Sequence, residues 1–194
     1  MKKMLLIMAV VALLTPINAL AGMKAPGVLD KEDVMTDESL AKYKSIGIKI
    51  FTTDNVEYNN VDSDEKRQLK NYFKDWQKLL ARTIKNELNG GNVTAFIIDP
   101  DGKNADKADM IIEGEFTQVN MGSAFSRVFW GFGAGQAGVT VKGKLVDAKT
   151  GKVLATFQHE STSGLQNGDK WQMVENRVAA TGDKIAEFVQ KLSR

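Results

Sequence analysis

Ile46, Ile48 and Ile50 alternate with Gly47, Lys49 and Phe51, which places three β-branched side chains on one face and predicts a strand within Tyr43–Thr53. A polar loop from Asn55 to Asp64 follows. The period then changes. Leu69, Tyr72, Phe73, Trp76, Leu80, Ile84 and Leu88 recur at steps of three and four, the stripe of a long amphipathic helix. Asp62 with Glu65 three residues on suits a capping box, and Ser63 is an equally suitable cap. Gly90-Gly91 is expected to end the helix through positive φ. A second strand is read at Val93–Asp99, parallel to the first because a helix of this length connects them. Asp109–Val119, Val139–Leu145 and Val153–His159 read as three further strands, the last two joined by the hairpin turn Asp147–Gly151. The final helix aligns Trp171, Val174, Val178, Ile185, Phe188, Val189 and Leu192. Gly182 interrupts it, at a cost of roughly 1 kcal/mol against alanine, which suggests close packing on the sheet. The expected fold is α+β: a mixed five-stranded sheet in the order strand-helix-strand-strand-strand-strand-helix, with both helices packed on it.

The ends of the chain add organisation. Met1-Lys2-Lys3, the apolar run Met4–Leu14, and Ala19-Leu20-Ala21 after Pro16 and Asn18 have the form of a secretory signal peptide cut between Ala21 and Gly22. The run is shorter than the roughly 20 residues of an uncleaved anchor. Residues 1–21 are therefore read as signal, 22–41 as a polar lead-in or tether, and 42–194 as the α+β domain. The expected location is the periplasm, with no stable membrane anchor after cleavage. Without Lys2 and Lys3 the basic and acidic residues balance at 24 each, so nothing in the composition calls for a nucleic-acid partner. The absence of cysteine excludes disulfides, thiolate metal sites and a cysteine nucleophile.

Most motifs that resemble chemistry fail on their context. Gly133-Ala-Gly135-Gln-Ala-Gly138 spells G-x-G-x-x-G, but a dinucleotide site needs a helix after it, and strand periodicity follows instead. Gly143–Thr150 resembles a phosphate loop running through a strand into a hairpin, where the backbone nest cannot form. Asp99-Pro100-Asp101-Gly102 opens like a calcium loop but has Lys103 at a ligand position. The acidic cluster from Asp30 to Glu38 has no fixed ligand geometry. His159 is the only histidine, which rules out a multi-histidine metal site. Its neighbour Glu160 faces the opposite way on the strand, so the two do not form a relay, and no nucleophile context supports Ser161 or Ser163 beside it. No catalytic residue, metal ligand or cofactor is assigned.

Two features are left as contact surfaces. Phe125, Arg127, Phe129, Trp130 and Phe132 form an aromatic segment that suits either a core cap or a partner contact. Lys66, Arg67, Lys70, Lys74, Lys78, Arg82 and Lys85 bias the first helix positive, suiting either a solvated face or an acidic partner. Gly131, Gly133, Gly135, Gly138 and Gly151 are read as structural glycines.

The stretch Arg127…Gly131-Phe-Gly-Ala-Gly-Gln-Ala-Gly-Val-Thr-Val…Leu145-Val-Asp-Ala-Lys-Thr-Gly151-Lys-Val-Leu resembles the signature of a family of exported bacterial proteins, many of them lipoproteins, known as domain of unknown function 4410. The resemblance runs from about Tyr43 to the last helix, including Gly182-Asp-Lys-Ile-Ala-Glu-Phe. Many relatives carry a lipid-modified cysteine, where this chain has Ala21-Gly22. The resemblance implies an envelope protein and supplies no catalytic residues. The resulting expectation is a non-catalytic periplasmic module that binds another envelope protein. The alternatives are a hydrolase of envelope glycan or peptide using Glu113, Glu115 or His159, and a carrier of lipid or a small molecule.

Overall fold

The computed structural model describes residues 24–122, 136–163 and 169–194. Its elements are β1 (Lys31–Val34), β2 (Ser45–Ile48), β3 (Glu57–Asn59), α1 (Ser63–Asn89), β4 (Thr94–Ile97), β5 (Met110–Met121), β6 (Ala137–Asp147), β7 (Val153–Thr162) and α2 (Lys170–Leu192). They form a seven-stranded sheet in the order β1-β7-β6-β5-β2-β4, with β3 paired to β5 off this path. The α+β class and the mixed sheet hold, with seven strands in place of the expected five. Pairing is parallel for β4, β2, β5 and β3, and antiparallel for β5-β6-β7-β1.

The two additional strands carry little periodic apolar signal. β1 lies in the segment expected to be a loosely packed lead-in, and it pairs with β7 from Lys31↔Gln158 to Val34↔Ala155. Backbone pairing and a local turn hold it there. The Glu32 carboxylate accepts hydrogen bonds from the N–H groups of Gly27, Val28 and Leu29, each at 2.7 Å. Leu29, Val34 and Leu40 then reach the core. Asp30 completes the attachment by accepting the Glu160 N–H (2.6 Å) and lying 3.0 Å from His159 Nδ1.

β3 falls where a polar loop was expected. The chain from Ser45 to Asn59 follows β5 as one interrupted strand, through Ile46↔Met110, the bridge Thr52↔Glu115 and Glu57↔Gln118. The interruption has a packing cause. Cross-strand partners Gly114 and Gly143 leave two gaps on the core face. A Cβ on Gly114 would lie 2.6 Å from the Phe51 ring, and one on Gly143 would lie 2.3 Å from the Phe157 ring. The chain leaves β2 so that Phe51 can turn inward, and Gln77 of α1 holds the turn by donating to Phe51 O at 2.6 Å. The Phe116/Gln118 bulge in β5 has a second effect on pattern: burial moves from Met110, Ile112 and Phe116 to Val119 and Met121.

The capping box of α1 is present. The Asp62 side chain accepts the Glu65 N–H, and Glu65 accepts the Asp62 N–H. Glu65 also pairs with Lys170 at the start of α2, which joins the first turns of both helices. The helices therefore run side by side in the same direction. Tyr72 stacks on Trp171 (4.1 Å between ring centroids), and Gln190 donates to Glu87 O at the other end (2.9 Å). Gly182 sits at their crossing, where a Cβ would lie 2.7 Å from Thr83 Cβ. The close approach inferred for this glycine is thus helix to helix, not helix to sheet. The end of α1 also differs from expectation, since Gly90 has φ −71° and no left-handed cap forms.

β4 closes one end of the sheet, and side chains cover its open edge. Asn89 at the end of α1 accepts the Ala95 N–H (2.8 Å) and donates to Ala95 O (3.0 Å). Asn104 donates to Ile97 O (3.1 Å) and accepts the Asp99 N–H (2.8 Å). The asparagines replace a further strand, a form of edge protection.

Three expectations follow. Asn89→Ala leaves buried Ala95 unsatisfied and should cost about 1–3 kcal/mol in chemical denaturation, with concentration-dependent association in light scattering; unchanged stability and a monodisperse solution would contradict the edge assignment. Gly182→Ala improves helix propensity by about 1 kcal/mol, yet overpacking against Thr83 costs roughly 1–3 kcal/mol, so a net loss is expected and a rise in the denaturation midpoint would contradict the seam. Asp147 is held down to about 2 by the Thr150 backbone N–H, with help from the Tyr43 hydroxyl, and burial pushes Tyr43 up to about 12. A depressed carboxylate stabilises the fold above its unfolded value of about 4, and that contribution is lost as pH falls from about 4 to about 2. NMR titration of the carboxyl should show this low midpoint, and Tyr43→Phe should raise it; an unmoved midpoint would remove Tyr43 from the account.

Candidate functional site

β2 and β4 are parallel, so both deliver their carboxyl ends to the same end of the sheet. β5 pairs with β2 on its other side, and the chain leaves β2 through α1 toward β4. Crevices at such points, outside the carboxyl ends of parallel strands, are where open α/β sheets take ligands. Here the crevice is a groove of about 730 Å³ between α1 and the segment after β4, within the range of small-ligand sites.

The groove has two kinds of wall. Its floor is apolar, from Ile50 where β2 breaks off and from Ile97, Ile98 and Pro100 at the end of β4. Its rim is cationic. Lys74, Lys78 and Arg82 follow one another at i, i+4 spacing along α1, so they form a single exposed row beside the floor. Neighbouring like charges at this spacing disfavour an isolated helix by a few tenths of a kcal/mol each. None of the three forms an ion pair among the described residues, where Asp99 is the single carboxylate lining the groove. Lys49 also lines it, but its ammonium is engaged by Glu113 at 2.5 Å.

The carboxylates considered for catalysis lie elsewhere. Glu113 and Glu115 share the face of the sheet away from the helices, opposite Lys144 and Lys142. Burial raises the Glu113 pKa, but hydrogen bonds from Lys49 and Lys144 outweigh it and hold the carboxyl below its usual range. A carboxylate held ionised in this way is poorly suited to act as a general acid. His159 pairs across β6 with Val141, a core residue, so it lies on the helix side of the sheet, bound to Asp30. The three groups do not converge.

Among the described residues, no group of three or more histidine, aspartate or glutamate side chains is placed to hold a metal ion. Of the glycines read as structural, Gly151 adopts φ +72° in the hairpin, and a Cβ on Gly138 would lie 2.4 Å from Ser161 O. Gly131, Gly133 and Gly135 lie outside the described residues, as do the expected contact residues Phe125, Arg127, Phe129, Trp130 and Phe132 and the expected signal segment with its Ala21-Gly22 cut. Among the described residues, no helix is long and apolar enough to cross a membrane. Sequence reasoning found the basic row on α1 but not the groove. Ile97-Ile98-Asp99-Pro100 was legible only as a strand end and turn, and nothing in the sequence set it beside the row.

Comparison with known proteins gives the following likenesses. The PelC dodecamer of Paraburkholderia phytofirmans matches at 13% identity and a TM-score of 0.47, covering 79% of this chain and 97% of that one. A lipoprotein of Neisseria meningitidis matches at 17% identity and a TM-score of 0.37, covering 74% of this chain and 99% of that one. None of the curated proteins gives a significant sequence match. The family model described as "Domain of unknown function (DUF4410)" matches residues 46–166, a span from β2 across the groove-forming unit to the end of β7, and the chain belongs to that family.

Proposed function

We propose that the protein is a non-catalytic, exported module of the bacterial cell envelope that binds an anionic component in the groove between α1 and the end of β4. The observation that carries this reading is the row Lys74, Lys78 and Arg82, which has no carboxylate partner among the described residues and stands over an apolar floor. A cationic rim on a concave, partly desolvated surface attracts and orients an anion more strongly than the same charges on a flat surface. Export is supported by the pattern from Met1 to Ala21. The non-catalytic reading rests on the separation of Glu113 and Glu115 from His159, and on the lysines that hold Glu113 ionised.

Thermal unfolding in pyrophosphate tests the groove. A ligand at ten times its Kd stabilises a one-site protein by about 1.4 kcal/mol. The wild-type chain is expected to gain Tm with rising pyrophosphate, and Lys74→Ala/Lys78→Ala/Arg82→Ala to lose that gain while keeping its own Tm in buffer. These side chains are exposed, so the variant should fold. No stabilisation of the wild type, or equal stabilisation of both chains, would contradict the proposal.

A further inference from the structure

We infer that the occupant of the groove is an anionic amphiphile: one acyl chain ending in a carboxylate or phosphate. This rests on the anion-binding reading above and narrows its ligand class. A site built for a hydrophilic anion surrounds it with N–H donors or hydroxyls, because each desolvated oxygen needs a partner. Here the surface beside the cations is mostly Ile50, Ile97 and Pro100, with Ile98 nearly buried; of the polar side chains that line it, Gln77 already donates to Phe51 O, and Asp99 is an anion. Three N–H groups of the turn are already used: Asp99 N–H is bound to Asn104, Gly102 N–H to Asp99 O, and Lys103 N–H to the Asp101 carboxylate. No helix starts at the groove, since the cations belong to the middle turns of α1. The groove thus offers point charges on flexible stems and a hydrocarbon surface. Ile50 and Ile97 are half-buried in the free protein, leaving apolar area that a chain would cover.

The geometry also orders the ligand. The cations run along one side of the groove, so a head group bound by Lys78 and Arg82 leaves its chain to lie across Ile97 and Ile50. The aliphatic stems of the lysines add to the apolar wall while their ammonium groups stay in water. The fit is to a single amphiphile molecule held in a crevice; a flat membrane surface would meet the row of charges but not the floor between α1 and β4.

Calorimetric titration of the full mature chain with octanoate, decanoate and dodecanoate, each below its micelle concentration, tests the inference. Decanol and pyrophosphate serve as controls. Burying each methylene should tighten binding by roughly two- to fourfold, decanol should bind at least tenfold more weakly than decanoate, and Lys78→Ala/Arg82→Ala should remove that preference. Ile50→Ser and Ile97→Ser, at half-buried positions, should flatten the chain-length dependence while leaving stabilisation by pyrophosphate intact. Pyrophosphate binding with carboxylate affinity independent of chain length would overturn the amphiphile and leave the anion site standing. Equal binding of decanol and decanoate would overturn the anionic amphiphile, and no binding by any probe would overturn both. Strong binding to anionic phospholipid vesicles with none to monomeric decanoate would place the charges on a membrane surface and overturn the inference as stated.

Discussion

The structure depends on the parallel seam between the two helices. Gly182 allows α2 to approach Thr83 of α1 closely, and the seam is tied at one end by Glu65 with Lys170 and at the other by Gln190 with Glu87. Two parallel helices side by side can cover one face of a wide sheet, with α1 over β4 and β2 and α2 over β5, β6 and β7. The core follows from this arrangement. Trp76, Phe51, Phe116 and Phe188 are all fully buried between helices and sheet, and side chains of this size contribute roughly 1.5–3 kcal/mol each on burial.

The seam also decides which face of α1 remains outside. With Leu69, Phe73, Trp76, Leu80 and Ile84 turned inward, the i, i+4 row of Lys74, Lys78 and Arg82 lies along the edge of the helix above β4. β2 ends early because Phe51 turns inward to cover Gly114. That leaves Ile50 and the end of β4 recessed beneath the row. The groove is thus a by-product of two packing events, the helix seam and the broken strand. Its chemistry comes from residues that neither event requires, the exposed cations of α1.

The sequence disclosed elements where one face is periodic and apolar. The stripe Leu69–Leu88 was legible for that reason, and the capping pair Asp62 and Glu65 and the hairpin at Asp147–Gly151 from their local cap and turn chemistry. It concealed elements held mainly by backbone pairing and local side-chain turns. β1 reads Lys-Glu-Asp-Val and owes its place to β7 and to the turn around Glu32. β3 is exposed throughout, and only its pairing with β5 makes it a strand. Gly182 announced a close approach, but its partner is a threonine about a hundred positions earlier, which no local pattern can reveal. The basic row was visible as helix composition. Its meaning was not, because that depends on where β4 ends.

Amide NMR mapping of residues 22–194 titrated with decanoate tests the groove most directly. The account predicts that the largest shift changes fall on Lys49–Ile50, on Ile97–Gly102 and on the middle turns of α1 from Lys74 to Arg82, converging on the groove. Changes concentrated on Glu113, Glu115 and Lys142 across the other face of the sheet, or within residues 123–135, would contradict it.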